Sequence, residues 1–221
     1  MNDPTKTNGL VWDLPVRLFH WALVALVAFQ TYTGLWGGPA DMVWHGRAGY
    51  AILALVVFRV LWGFVGGRHA RFGDFLKGPK GVVEYLTGKV PHGAGHNPLG
   101  GLSVIAILVV LAAQAATGLF SNDDILFEGP LMAQVGKDMS DTITGYHALS
   151  AKLLLALVVL HLAAIVFYRI KGRNLIHPMI TGRSPDAETD DENGPPAAAS
   201  LIKALIALAI AAAAVWAIVT Q

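Results

Sequence analysis

Apolar residues run for about twenty positions at a time in five places, at about 18–37, 44–65, 99–121, 146–168 and 200–219, with polar residues collected between them. A hydrocarbon core about 30 Å thick is crossed by about 20 helical residues at 1.5 Å each, so every run predicts a membrane-spanning helix. Arg17 followed by an apolar stretch resembles the start of a secretory signal. No small-residue cleavage site follows and a second apolar run comes at once, so it is read as a retained first helix. The predicted fold class is all-α integral membrane: a bundle of four transmembrane helices plus one additional C-terminal transmembrane helix. Residues 1–17 form an N-terminal segment, 18–182 the four-helix domain, 183–199 an acidic linker and 200–221 a C-terminal anchor. The linker contains Pro and Gly among its acidic residues and reads as flexible.

The cations set the orientation. Lys6 and Arg17 precede the first span, Arg68, Arg71, Lys77, Lys80 and Lys89 lie between the second and third, and Arg169, Lys171, Arg173 and Arg183 follow the fourth. The other side carries Arg47 and Lys137 among Asp41, Asp123, Asp124, Glu128, Asp138 and Asp141. The positive-inside rule then puts the N-terminus in the cytoplasm and, with five spans, the C-terminus outside.

Composition agrees with a lipid solvent. Of 221 residues, 54% are hydrophobic and 14% charged, against about 25% charged in an ordinary soluble domain. That excludes a disordered chain and argues against a water-soluble globule. A net charge of +1 gives no sign of nucleic acid, which is not an expected partner. The absence of cysteine excludes disulfides, thiolate-held iron–sulfur clusters and haem attached through Cys-x-x-Cys-His. A redox centre here must be held by other side chains.

Four of the eight histidines, His20, His45, His147 and His161, fall in or at the edge of spans. One such residue alone is as well explained by a hydrogen-bonded core histidine. Four are harder to dismiss, because ionisable groups within spans are costly and mark functional paths. His147 and His161 are fourteen residues apart, about 21 Å along one helix and about 40° short of four full turns, so they share a face at opposite depths. The alternating direction of the spans puts His45 with His147 in an outer layer and His20 with His161 in an inner layer. Two opposed imidazoles per layer suit a low-spin b-type haem, which needs two axial ligands. A closed zinc site wants four protein ligands, and each layer has two.

Four further residues fit this reading. Gly34, fourteen positions after His20, makes room for a porphyrin edge in the outer layer, or serves close helix packing. Arg59, fourteen after His45, is placed to pair with a propionate or a quinone oxygen in the inner layer. Arg47 and Lys152 lie near the outer pair, to do the same there or to snorkel to the surface. His69 and His96 flank the long cytoplasmic loop, where they either line a quinone pocket or fix a turn.

The strings Val11-Trp12-Asp13-Leu14-Pro15-Val16-Arg17-Leu18-Phe19-His20-Trp21, Trp44-His45-Gly46-Arg47-Ala48-Gly49-Tyr50 and Tyr146-His147 through His161 to Tyr168 resemble the bacterial cytochrome b561 and nickel–iron hydrogenase b-type cytochrome family. The resemblance runs from about residue 10 to about 182. It also takes in Arg59-Val60-Leu61-Trp62-Gly63-Phe64, His69-Ala70-Arg71-Phe72, Gly95-His96-Asn97-Pro98-Leu99-Gly100-Gly101 and Asn174-Leu175-Ile176-His177-Pro178-Met179. It implies a four-helix cytochrome of the bacterial inner membrane with two non-covalent, bis-histidine haem b groups ligated by His20, His45, His147 and His161. It further implies electron transfer between ubiquinone or menaquinone and a partner protein. The fifth span and its linker lie outside the family's four-helix core.

The expected function is respiratory electron transport between the quinone pool and a redox partner at the periplasmic face, a c-type cytochrome or a hydrogenase-like protein. The acidic residues at 123–141 offer a surface to a basic partner, and a second copy of the chain, in a homodimer, is among the expected partners. An electron-transfer subunit is favoured over an enzyme in its own right. The alternatives are a stand-alone quinone-linked oxidoreductase of a small oxidant such as superoxide, a proton or metal transporter using the intramembrane histidines, and a haem-free anchor for a soluble redox enzyme.

Overall fold

The structure is a computed structural model that describes residues 9–89, 95–184 and 197–221. Among them, five helices are long and apolar enough to cross a membrane: α1 (Leu14–Trp36), α2 (Pro39–Val65), α5 (Pro98–Gly118), α7 (Lys137–Ile170) and α9 (Ala197–Val219). The all-α membrane fold expected from the apolar runs is the fold found. Short helices α3 (Phe72–Phe75), α4 (Gly78–Leu86), α6 (Met132–Val135) and α8 (Ile176–Thr181) sit between the spans. The two-residue strands β1 (Gly9–Leu10) and β2 (Arg183–Ser184) pair antiparallel.

Local chemistry explains where the long helices begin. Asp13 caps α1, its Oδ1 accepting the Val16 N–H at 2.8 Å, with Pro15 in the first turn. Asn97 does the same for α5, accepting the Gly100 N–H at 2.6 Å ahead of Pro98. Between α1 and α2 the chain turns through Gly37-Gly38, and the Gly38 N–H donates to Asp41 Oδ2 at 2.8 Å. The α7 helix starts at Lys137, well before the apolar run at 146, so Asp138 and Asp141 stand on helix rather than in a loop. Apolarity marks the lipid-facing part of a helix alone. The polar extension is supported by Asp138 in its first turn, which suits the helix dipole, and by the Lys137–Asp141 pair one turn apart.

The described residues form two compact units. The first takes them from Met1–Leu18, Val60–Ile105 and Val159–Leu205, the second from Phe19–Arg59, Ala106–Val158 and Ile206–Gln221. In the first, Asp13 Oδ2 accepts both the Trp62 indole N–H at 3.1 Å and the Gly67 N–H at 3.2 Å, tying the start of α1 to the end of α2. The Gly182 carbonyl accepts the Val11 N–H at 2.8 Å, and Arg17 donates to the Ile180 carbonyl at 2.6 Å. Arg183 and Ser184, expected at the head of the linker, are therefore held as β2. The acidic stretch expected to be flexible, 185–196, lies outside the described residues.

In the second unit Ile52, Val56, Leu111 and Leu154 form a buried cluster. Leu23, Leu26, Val27, Ile107, Val110, Ala112 and Val158 close around it. These residues come from α1, α2, α5 and α7, so four spans meet in one interdigitated layer. Large apolar residues on the other faces, Val109, Leu149, Val159 and Leu160 among them, are exposed, as helices dissolved in lipid require.

Candidate functional site

Two of the predicted ligands come together in the second unit. The rings of His45 on α2 and His147 on α7 have centroids 6.2 Å apart and planes 74° apart. Two imidazoles binding one metal through opposed nitrogens, at about 2 Å each, have their centroids about 6 Å apart.

Hydrogen bonds fix the tautomer of His147. His147 Nδ1 lies 3.0 Å from the Gln114 backbone carbonyl, which can only accept, so Nδ1 carries the proton and Nε2 the lone pair. Gln114 agrees with this assignment. Its Oε1 accepts the Ser150 hydroxyl, which turns its amide N–H toward His147 Nε2 at 3.0 Å. His45 Nδ1 lies 2.9 Å from Thr33 Oγ1, and His147 Nδ1 lies 3.1 Å from Thr117 Oγ1. Both rings thus have a partner on Nδ1, and a metal at His147 Nε2 would take the place of the Gln114 amide N–H.

Glycine makes room beside each ring. A Cβ on Gly34 would stand 3.1 Å from His45 Cε1, and one on Gly118 would stand 3.2 Å from His147 Cε1. Gly34, chosen from the sequence for its missing side chain, is therefore placed against the His45 ring. Gln30 adds a buried Oε1 with no hydrogen-bond partner. Two histidine donors, a glycine against each and an orphaned amide oxygen fit a planar group that brings its own equatorial nitrogens.

Gln114, Thr117, Gly118 and Thr33 were not among the sequence candidates. None titrates, and α5 carries no histidine. A signal for them exists as an internal repeat: Gln30-Thr31-Tyr32-Thr33-Gly34-Leu35-Trp36 on α1 matches Gln114-Ala115-Ala116-Thr117-Gly118-Leu119-Phe120 at the end of α5 and just beyond it. On α2 and α7, Leu53-Ala54-Leu55-Val56-Val57 matches Leu155-Ala156-Leu157-Val158-Val159, with His45 in register with His147 and Arg59 in register with His161.

The remaining candidates fall as follows. His20, edge-on to Trp21 at 5.1 Å, belongs to the second unit, and half-buried His161 belongs to the first. Arg59 is 3% exposed, deep in the protein. Arg47 lies over the Trp44 ring at 4.9 Å and Lys152 is exposed. Next to His45, Gly46 takes the ring of Phe127, where a Cβ would come within 2.4 Å. Asp123 holds that loop, its Oδ1 accepting the N–H groups of Ile125, Leu126 and Phe127 at 2.8–2.9 Å. Desolvation raises the Asp123 pKa, but these backbone donors outweigh it and hold the carboxyl below its ordinary value.

In the first unit His96 packs on Trp12 at 4.6 Å and on Phe75 at 4.7 Å, with His69 6.4 Å from Trp12. The cavity lined by Trp12, Asp13, Gly67 and His69 holds about 40 Å³, room for a few waters. Nearby, the Tyr85 and Tyr168 hydroxyls meet at 2.8 Å and Asn97 donates to Tyr168 at 2.8 Å. Burial and the bond to Tyr168 push the Tyr85 pKa up to about 12.

A family model described as prokaryotic cytochrome b561 matches residues 11–182. The chain belongs to that family. Membership implies haem b and a helical, multi-pass membrane protein that carries electrons. The chain is similar to the "probable Ni/Fe-hydrogenase B-type cytochrome subunit" of Rhizobium leguminosarum bv. viciae, 27% identical over 84% of this chain and 92% of the relative. It is also 27% identical to the protein of the same description from Azotobacter chroococcum mcd 1, over 80% of this chain and 88% of the relative. No solved structure matches.

Proposed function

We propose that the protein is a di-haem b-type cytochrome of the bacterial cytoplasmic membrane, passing electrons between the quinone pool and a redox partner at the periplasmic face. The observation that carries this reading is the His45–His147 pair: two imidazoles 6.2 Å apart, with a glycine against each. These two hold the outer haem. His20 and His161 hold the inner one, on the depth argument from the sequence, and Arg59 lends it a buried positive charge. Bound haem supplies reversible one-electron chemistry at its iron. The chain supplies the ligand nitrogens, their orientation and a site closed by apolar helices.

The partner follows from the relatives, which are described as hydrogenase subunits. A hydrogenase-like protein is therefore the first candidate, meeting the acidic residues Asp123, Asp124 and Glu128 beside the outer pair. The N-terminus is cytoplasmic by the positive-inside rule. Residues 18–182 are the haem-bearing domain and α9 is an accessory anchor.

The test is purification in mild detergent, with oxidised and dithionite-reduced spectra and haem counted by pyridine haemochrome. The expected result is two haem b per polypeptide with sharp reduced bands. Folded protein without haem, from cells able to supply it, overturns the reading.

A further inference from the structure

We propose that Thr33 and Thr117 are positioning residues for the two ligands of the outer haem, each accepting the Nδ1–H of one imidazole, and that the two ligands are held unequally. This rests on the reading of His45 and His147 as ligands. Thr33 Oγ1 lies 3.0 Å from the Phe29 carbonyl and 3.3 Å from that of Gln30. Carbonyls only accept, so the hydroxyl proton is spent on α1 itself, and the oxygen that remains for His45 Nδ1 at 2.9 Å presents lone pairs. Thr117 repeats the arrangement, 2.8 Å from the Ala113 carbonyl, 3.0 Å from that of Gln114 and 3.1 Å from His147 Nδ1. A neutral imidazole that binds a metal through Nε2 keeps its proton on Nδ1, the atom both threonines meet.

The two halves differ in what Gln114 adds. His147 Nδ1 is also 3.0 Å from the Gln114 carbonyl and its Nε2 is 3.0 Å from the Gln114 side-chain amide, whereas the polar contact of His45 is with Thr33. An acceptor on Nδ1–H raises the basicity of Nε2 and stabilises the oxidised metal, lowering its reduction potential. The His45 side depends on a hydroxyl, and the His147 side keeps a backbone acceptor when its hydroxyl is removed.

The experiment compares full-length wild type, Thr33→Val, Thr33→Ser and Thr117→Val. It measures the potential of each haem by redox titration and the ferric signals by electron paramagnetic resonance. T33V is expected to raise the outer potential and shift the outer ferric signal, T33S to return both to wild type, and T117V to move them less than T33V. Loss of the outer haem from T33V but not from T33S also supports the hydroxyl's role. An unchanged outer potential in T33V overturns the proposal, as does a T33S variant that shifts or loses haem as far as T33V. A T117V shift as large as that of T33V overturns the inequality. Wild-type protein lacking the outer haem overturns the ligand reading itself, a separate outcome seen before any variant is made.

Discussion

The imidazole planes of His45 and His147 cross at 74°, close to perpendicular. Axial ligands at such an angle leave the ferric d orbitals nearly degenerate and give a strongly anisotropic low-spin signal with a large maximal g value. Frozen oxidised protein is expected to show one. His147→Ala removes that signal and one of two haems, leaving most of the other. Retention of both haems in the variant contradicts the assignment.

Gly34 and Gly118 leave space that a side chain would take. A Cβ at either contacts its histidine at 3.1 or 3.2 Å, so alanine requires the ring to give by a few tenths of an ångström. Gly118→Leu and Gly34→Leu place a branched side chain beside the rings. Each is expected to lower bound haem from two per polypeptide toward one, with the alanine variants nearer wild type. Haem-to-protein ratios in purified samples check this.

Asp13 accepts from Val16, Trp62 and Gly67 and so joins the start of α1 to the end of α2. Asp13→Ala removes a helix cap and leaves two donors without their acceptor, a loss of about 1–3 kcal/mol. Asp13→Asn keeps the cap and is expected to lose less. Thermal unfolding in detergent, followed by circular dichroism, measures both.

Tyr85 titrates at about 12 rather than at its ordinary value of 10.0. A folded-state pKa raised above the unfolded one contributes stability that is complete below the unfolded pKa and is lost as pH rises through the folded one. The window runs from about pH 10 to about pH 12. Tyr85→Phe is expected to lose about 1 kcal/mol at neutral pH, where the bond to Tyr168 is gone, and to flatten the fall in stability across that window, as read from unfolding midpoints of both proteins at matched pH.

Much of this was legible beforehand because membrane helices write their length into the sequence. The five spans follow from rise and length alone. The early start of α7 was not legible, since its first turns are polar and held by Lys137, Asp138 and Asp141. Nor was the aromatic packing of His69 and His96 with Trp12 and Phe75, which joins segments far apart in the chain.

By itself, the sequence determined the membrane class and the spans, because these depend on local periodicity and on the length a bilayer demands. Tertiary structure decided that Thr33 meets His45, that Gln114 and Thr117 meet His147, and that Gly34 and Gly118 face those rings. Such contacts depend on how one helix is rotated and offset against its neighbour. That is set by the interlocking of Ile52, Val56, Leu111 and Leu154, a property no single helix possesses.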